Sequence, residues 1–487
     1  MSEVIFIRPS QRTTTFQALL MRMVELGIDF AFNDTLELPT DLPASLDGVR
    51  LIMTMPEDWE ALVAKPGNRE RLRAFVKAGG ATAAGFVPIQ DMMHQVVAFD
   101  KLERVRMNLT HNHPAMRRRL QDRTWPQVLK PVIPKLAGFR GEAWGDPTGT
   151  HVWSGLEILF DLTGDRRYYD ALKLYIDEGI EQGLEVEQFR GWVGFGYSSA
   201  VRLWRDTGDR KYRDYLVSRV ERHIREFTRL DGMLTNQFNR WDFWCEGMAH
   251  VASAFVSVGV TEGNERFIDE GIKVVDDHHR LLFNPQTKLW HHGGKPGQRG
   301  PAPWSRGEGW ALWGLCEALR FLPTDHSARP RFIGYFRESF EGLLAVQDEE
   351  GLFHQVLDDP INSRPELTGS AMFLRFFSRA RMHGWLDDAR LDPFLHKLAR
   401  AVRGRFWDGW LFSGTCGASA WSTRTYYILR PLTPWHTVIG TCGAATYLKA
   451  FGINECPSLD EMAWPKEPTR PKRAPQPKEQ GEDFGQK

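Results

Sequence analysis

The chain has 487 residues, with 62 basic and 62 acidic side chains, so its formal net charge is zero. A hydrophobic fraction of 42% excludes a largely disordered chain. The charge balance gives no support to a generally basic nucleic-acid-binding protein. The length exceeds what one ordinary core supports, which predicts two domains.

The cysteines and the apolar runs predict where the protein works. The five cysteines are scattered and form no CxxC pair, which argues against a disulfide framework or a structural zinc site. The sequence contains no run of about 18 apolar residues, so no membrane span is predicted. The first residues lack the pattern of a secretory signal. We therefore expect a soluble cytoplasmic protein that contacts neither membrane nor nucleic acid.

Residues 1–92 alternate between strand-like and helix-like patterns. The strand-like runs lie at 4–7, 30–32, 49–55 and 81–87, and helical spacing lies at 14–27 and 69–78. This alternation predicts a small α/β domain, with an accessory or oligomerising role that leaves a homo-oligomer open. Residues 93–140 are interpreted as a linker with the first helices of the next domain.

A local motif recurs in the helical part of the chain, beginning at Thr163, Thr207 and Glu262. In each copy a Gly-Asp or Gly-Asn turn separates two amphipathic segments, and an aromatic residue opens the second. Recurrence at intervals of roughly 50 residues predicts six or seven stacked helical hairpins. Six hairpins would close a ring, and an open solenoid is the alternative.

The predicted fold is therefore mainly α. We expect an (α/α)6 barrel over residues 141–455, with the small α/β domain ahead of it. Residues 456–487 are rich in Pro, Lys, Glu and Gln from position 465 onward, which predicts a disordered tail.

Sixteen of the 18 tryptophans lie between Trp125 and Trp435. Several fall where loops between hairpins are expected, namely Trp241, Trp244, Trp290, Trp304 and Trp310. A tryptophan offers a broad flat face and one donor, which suits stacking on a sugar ring. Core packing is the alternative, but for this loop-associated group we favour sugar binding.

Residues 303–312, PWSRGEGWAL, resemble the signature of the unsaturated glycuronyl and rhamnogalacturonyl hydrolases, glycoside hydrolase families 88 and 105. The segments 240–248, 351–358 and 366–373 resemble further motifs of these families, and the similarity extends over roughly 191–452. The resemblance implies an (α/α)6 barrel and an exo-acting hydrolase. Its substrate would be an oligosaccharide with a terminal uronic acid, and it would need no cofactor or metal.

Two positions depart from the family pattern. Glu246 stands where these enzymes have the aspartate that protonates the C4=C5 double bond of an unsaturated uronic acid and activates water. The longer side chain moves the carboxyl group by about 1 Å, which matters for proton transfer. Trp192 stands in place of a second aspartate, so either the mechanism or the substrate has changed.

An ordinary glycosidase is the first alternative, because hydrolysis of a saturated glycoside normally requires two carboxyl groups. Glu246 would be the acid, and Glu308, Asp242 or Asp146 could supply the second carboxyl. Asp242 and Glu246 would share a helix face if their segment is helical. Such an enzyme would resemble the (α/α)6 β-glucuronidases of family 154. An inactive sugar-binding protein is a further alternative, because the second aspartate is missing.

The resemblance also implies a set of substrate-binding residues. Arg306 would hold the uronate carboxylate by a charge-assisted pair, with a salt bridge inside the barrel as the alternative. Ser370 would lie near the pocket, or else act as a helix-cap hydroxyl. The full set is Trp192, Trp244, His292, Trp304, Arg306, Trp310, Gln355, Ser370 and His436.

Overall fold

The computed structural model describes twelve stretches of the chain. They are residues 4–7, 41–49, 51–54, 56–84, 122–136, 147–181, 197–235, 242–361, 363, 365–407, 410–411 and 437–464. Three predicted site residues, Asp146, Trp192 and His436, lie outside them, as do the predicted helix at 14–27 and the strand at 30–32.

Near the N-terminus, three strands form a parallel sheet in chain order, with Ile5 paired to Ile52 and Ile52 to Thr82. The strands are β1 (Val4–Phe6), β2 (Leu51–Thr54) and β3 (Ala81–Ala84), and helices α1 (Pro56–Ala64) and α2 (Asn68–Lys77) lie between β2 and β3. Leu72 and Phe75 pack into the same small core as Ile5 and Ile52. The accessory role and the boundary at residue 92 stay predictions.

Helix α1 was not predicted from the sequence. Its start has a recognisable signal, since Pro56 stands at the first helical position and acidic residues follow it.

Six helices form an inner ring. They are α5 (Pro147–Thr163), α7 (Tyr197–Thr207), α9 (Ser253–Glu262), α11 (Ser305–Phe321), α13 (Leu367–His383) and α15 (Thr437–Ala450). Each contacts the next, and α15 contacts α5. This closure confirms the predicted (α/α)6 barrel, and the open solenoid is wrong.

Outer helices follow the first five inner ones. They are α6 (Arg166–Glu181), α8 (Arg210–Glu226), α10 (Glu265–Leu282), α12 (Arg329–Val346) and α14 (Leu391–Arg403). Two short helices, α3 (Trp125–Leu129) and α4 (Ile133–Leu136), precede the ring. The ring of Trp125 lies 6.1 Å from that of Tyr447, so α3 packs against α15.

The recurring motif forms the hairpin turns. Gly164, Gly208 and Gly263 all have left-handed backbone, with φ of 72°, 67° and 74°. The next residue then caps the outer helix: Asp209 accepts from the Lys211 amide at 3.0 Å, and Asn264 from the Phe267 amide at 3.3 Å. A side-chain cap satisfies an amide that a helix start leaves unpaired.

The aromatic residue of each motif fixes the hairpin to the core. Tyr168, Tyr212 and Phe267 are 0–1% exposed. Each stands in the first turn of its outer helix and is buried, as the motif predicts.

Short antiparallel strands connect the inner helices at one end of the ring. The main sheet has the order β10-β9-β6, where β6 is Phe243–Trp244, β9 is Gly293–Lys295 and β10 is Gln298–Arg299. Two-residue pairs also form: β4 (Arg229–Leu230) with β5 (Met233–Leu234), β7 (Phe283–Asn284) with β8 (Leu289–Trp290), and β11 (Phe406–Trp407) with β12 (Trp410–Leu411). A single bridge joins Trp304 to Val356. The segments ahead of α9, α11 and α13 are thereby tied together.

This arrangement corrects one expectation. Asp242 and Glu246 do not share a helix face, because β6 lies between them and a π-helix (Met248–Ala252) starts only after Glu246. The reason is long-range: Phe243 pairs with Gly294, and Trp244 with Gly293.

The ring also extends past the predicted boundary at residue 455. Leu459, in a 3₁₀ turn (Leu459–Glu461), is 2% exposed, and Asp460 forms an ion pair with Arg167 at 2.7 Å. The Trp464 ring lies 5.3 Å from that of Tyr168. Residues 456–464 therefore pack on the barrel, and the disordered tail stays a prediction only beyond them. Among the described helices, none has the length and apolar character needed to cross a bilayer.

Candidate active site

A carboxylate–imidazole pair lies where β6 leads into α9. His292 Nε2 is 3.0 Å from Glu246 Oε1 and 3.1 Å from Oε2, and both side chains are 1% exposed. The pair can share one proton, carried either on the imidazole or on the carboxyl group. This is an arrangement suited to moving a proton to and from a substrate.

Backbone hydrogen bonds hold the two partners together. The Cys245 amide donates to the His292 carbonyl at 2.9 Å, and the His292 amide donates to the Ala302 carbonyl at 3.1 Å. A Cβ added to Gly307 would lie 3.3 Å from His292 Cα, so the first turn of α11 packs directly on the histidine. The pair is therefore positioned by β6, by the segment after β8 and by α11.

Two indole rings flank His292. Its ring centroid is 5.4 Å from that of Trp244 and 4.4 Å from that of Trp304. Trp244 Nε1 donates to Asp242 Oδ2 at 2.8 Å. Asp242 is one of the residues predicted to supply the second carboxyl group, and this hydrogen bond engages it. Asp242 thus fixes the orientation of Trp244.

Trp304 does not present a free face to a sugar, contrary to the expectation from its loop position. It is fully buried, with His292 near one part of its ring and the Arg306 guanidinium 4.0 Å from its centroid. Trp290 is equally buried, and its Nε1 donates to Ser339 Oγ at 2.8 Å. The burial of both rings favours core packing for these two tryptophans, and the substrate-binding role of Trp304 stays a prediction.

The Arg306 charge acts on a buried carboxyl group, Glu366, that was not among the predicted site residues. Glu366 is 0% exposed and caps α13, accepting from the Thr368 and Gly369 amides at 3.2 and 2.5 Å. Burial raises the pKa of Glu366, while the Arg306 charge and these hydrogen bonds act to lower it. The signal was present in the sequence, as an acidic residue directly before an apolar helix.

Glu308 is held at the start of α11. It is 0% exposed, and its Oε2 accepts from the Trp290 amide at 2.7 Å, while Oε1 is buried with no hydrogen-bond partner. Burial raises the pKa of Glu308 well above its usual value, and the Trp290 hydrogen bond opposes this only in part. Glu308 therefore holds the strand that leads to His292, in surroundings that favour the protonated form of its carboxyl group.

Gln355 and Ser370 form hydrogen bonds around the starts of α11 and α13. The backbone carbonyl of Gln355 accepts from the Ser305 amide at 3.1 Å. Ser370 Oγ donates to the Glu366 carbonyl at 2.8 Å and accepts from the Phe353 amide at 3.1 Å, which favours the structural alternative for this hydroxyl.

Trp310 is 2% exposed and stacks on Trp313 with centroids 5.8 Å apart. The roles assigned to Asp146, Trp192 and His436 stay predictions. Within the described ranges, no group of three or more His, Cys, Asp and Glu side chains could hold a metal ion.

A closed ring of six inner helices with a buried acid–imidazole pair at one end defines a glycoside hydrolase of the (α/α)6 type. The profile described as Glycosyl Hydrolase Family 88 matches residues 140–445. The chain belongs to glycosyl hydrolase family 88.

Curated relatives and solved structures agree with this assignment. The chain is 26% identical over 239 residues to the unsaturated rhamnogalacturonyl hydrolase YesR of Bacillus subtilis (strain 168), covering 47% of this chain and 68% of the relative. It is 24% identical over 164 residues to an unsaturated 3S-rhamnoglycuronyl hydrolase of Alteromonas sp. (strain LOR), covering 32% and 40%. The structure of a possible GH105 family member from Salmonella enterica serovar Paratyphi A has a TM-score of 0.58 at 20% identity, covering 63% and 84%. At that identity the structural likeness shows the fold alone.

Replacing Glu308 by glutamine is expected to leave kcat close to that of wild type and to maintain or raise Tm at pH 7. Glutamine keeps the acceptor for the Trp290 amide and carries no titratable proton. In wild type the folded-state pKa is raised, so the unfolded chain loses this proton first. The free energy of unfolding therefore falls as the pH rises from the pKa of Glu308 in the unfolded chain to its pKa in the folded protein. The glutamine variant avoids this loss.

Thermal unfolding from pH 4 to 8, with kcat at each pH, checks this prediction. Glu308→Ala is the comparison, because it leaves the Trp290 amide without its acceptor and is expected to lower Tm. If Glu308→Gln instead loses about 10²-fold or more in kcat at unchanged Tm, Glu308 is a reacting carboxyl group.

Proposed function

We propose that this enzyme releases a terminal unsaturated uronic acid from oligosaccharides, with Glu246 as the acid and base. The observation that supports the proposal most is the buried Glu246–His292 pair, held at 3.0 Å between Trp244 and Trp304. The named activities of the two curated relatives, both on unsaturated uronides, support the same substrate class.

The chemistry proceeds by hydration of the double bond. Protonated Glu246 gives its proton to C4, and the resulting cation at C5 is stabilised by the ring oxygen. The Glu246 carboxylate then accepts a proton from a water molecule whose oxygen bonds to C5. The hemiketal formed in this way opens by breaking the bond between C5 and the ring oxygen, which leaves a ketone at C5 and a hemiacetal at C1. The hemiacetal then collapses to an aldehyde, which breaks the glycosidic bond and frees the rest of the oligosaccharide as an alcohol.

His292 supports both halves of this cycle as a positioning residue. Its Nε2–H, when present, donates to the Glu246 carboxylate and stabilises it after the proton has left. One carboxyl group is sufficient for hydration, which agrees with the engagement of Asp242 by Trp244.

The end of the ring that carries the pair favours an anionic substrate. The segments ahead of α9, α11 and α13 are bonded to one another there, so the N-termini of three inner helices lie at the same end. A helix N-terminus carries a partial positive charge that stabilises a nearby carboxylate. Arg306, in the first turn of α11, adds a full positive charge.

One observation favours a second candidate, a β-glucuronidase acting on saturated glucuronides. Glu308 is a buried carboxyl group with a raised pKa, which is the state that a general acid requires. Glu246 and Glu308 both act electrostatically on Cys245, which lies near both. The bond from the Trp290 amide to Glu308 makes this candidate the weaker one.

Ultraviolet absorbance separates the candidates. The C4=C5 bond conjugated with the carboxylate absorbs, and hydration removes that absorbance. We expect the enzyme to remove it from an unsaturated uronyl disaccharide and to leave 4-nitrophenyl β-glucuronide intact. Constant absorbance together with release of glucuronate from the saturated substrate would establish the β-glucuronidase. Binding of both sugars without turnover of either would establish an inactive sugar-binding protein.

A further inference from the structure

Charged side chains are buried inside the ring, on inner helices α5, α11 and α13. Glu317 is 1% exposed and accepts from Arg379 Nη1 at 2.6 Å and from Arg320 Nη1 at 3.2 Å. Arg320 also forms an ion pair with Glu157, which is 4% exposed. These four side chains balance in charge, since each guanidinium has a carboxylate partner.

Arg375 adds a cation to this group without adding an anion. It is 3% exposed, and its Nε is buried with no hydrogen-bond partner. In the part of the chain that the structure describes, no acidic side chain lies within ion-pair distance of it. The guanidinium instead lies 4.6 Å from the centroid of Trp313 and 5.1 Å from that of Phe376.

The neighbouring thiols do not supply the missing charge. Burial raises the pKa of Cys316 to about 11 and also raises the pKa of Cys442, so both are neutral at physiological pH. A buried guanidinium without a counter-ion is strongly unfavourable, because desolvation is not offset by an opposite charge. Among the described residues, Glu317 acts on Arg375 through space, but its carboxylate is already bonded to Arg379 and Arg320, so Arg375 has no bonded counter-ion of its own there.

A second donor lies beside Arg375 on the same helix. Ser378 is 0% exposed, and its Oγ is buried with no hydrogen-bond partner. Residues three apart on a helix share a face, with Cβ atoms about 5–6 Å apart. Arg375 and Ser378 thus offer two buried donors to one small acceptor.

We propose that Arg375 and Ser378 form a binding site for a small monovalent anion inside the (α/α)6 ring. The ligand is a halide or a small carboxylate, which accepts from the guanidinium and the hydroxyl and provides the missing negative charge. The anion stabilises the ring, and its binding does not depend on the substrate of the enzyme.

Thermal unfolding at constant ionic strength tests the site. Wild type is titrated with chloride, bromide or formate, and gluconate, a much larger anion, is the reference. We expect a saturable rise in Tm with at least one of the three small anions, because a ligand that binds only the folded state stabilises it. A halide response without a formate response assigns the site to halide, and the reverse assigns it to carboxylate.

Three variants make the test specific. Arg375→Met is expected to lose the anion response and to match or exceed wild-type Tm in gluconate, since it removes an unpaired buried charge. Ser378→Ala is expected to weaken the response several-fold. Arg381→Met is the control, because that arginine of the same helix pairs with Asp392 and its loss leaves the response unchanged.

An equal Tm of wild type in gluconate and in all three small anions overturns the proposal, as does an unchanged response in Ser378→Ala together with Arg375→Met. If Arg375→Met does not fold, crystals soaked in bromide decide. A bromide anomalous peak within hydrogen-bond distance of the Arg375 guanidinium supports the site, as does formate density there in crystals soaked in formate, and the absence of both refutes it.

Discussion

Glu246→Gln is expected to lower kcat on an unsaturated uronide by about 10²–10⁴-fold, the usual contribution of a general acid–base group. Glutamine keeps the size of the side chain and still bonds to His292, but it can neither give nor accept the transferred proton. Because only the proton transfer is removed, Tm and the dissociation constant for the substrate are expected to stay near their wild-type values.

Two further variants test whether the length and the position of this side chain matter. Glu246→Asp restores the residue type that the resembling families use, but withdraws the carboxyl group by about 1 Å from a site built for glutamate. A shift of that size can cost about 10²-fold in rate. Glu349→Gln, at an exposed position, is the matched control and is expected to leave kcat unchanged.

Steady-state loss of ultraviolet absorbance measures these rates, and fluorescence titration of the unsaturated disaccharide measures binding. The assignment of Glu246 is wrong if the glutamine variant keeps more than a tenth of wild-type kcat. In that case the acid is another carboxyl group, and Glu308 becomes the first to examine.

The fold could be predicted from the sequence because its repeat is local. Each turn motif contains the glycine that ends one helix, the cap that starts the next and the aromatic residue that packs, as at Gly208, Asp209 and Tyr212. Such interactions span only a few residues, so their pattern is visible in the chain. The resemblance to the family motifs then predicted that the segments around Glu246 and Arg306 form the site.

The site could be predicted only in part, because its geometry depends on contacts between residues that are far apart in the sequence. The segment at 242–245 is not a helix, since β6 pairs with β9 about 50 residues later in the chain. From the sequence, Glu308 is a catalytic candidate. In the structure, its Oε2 already accepts a hydrogen bond from the Trp290 amide. The loop position of Trp304 predicts an exposed ring, but His292 and Arg306 cover it.

Glu366→Ala is expected to destabilise the barrel by about 1–3 kcal/mol, the usual cost of leaving buried donors without an acceptor. The variant removes the acceptor for the Thr368 and Gly369 amides, together with a carboxyl group on which the Arg306 charge acts. Glu366→Gln is the comparison, because it keeps an acceptor for the amides and removes only the charge. Its expected loss is therefore smaller.

A double-mutant cycle isolates the part due to Arg306. In Arg306→Met with Glu366→Gln, both charges are gone, so we expect the double variant to be more stable than the sum of the single effects predicts, by about 0.5–3 kcal/mol. Calorimetry of all four proteins measures the cycle. Strict additivity would mean that Glu366 acts only as the cap of α13, because a charge interaction with Arg306 would appear in the cycle as a non-additive term.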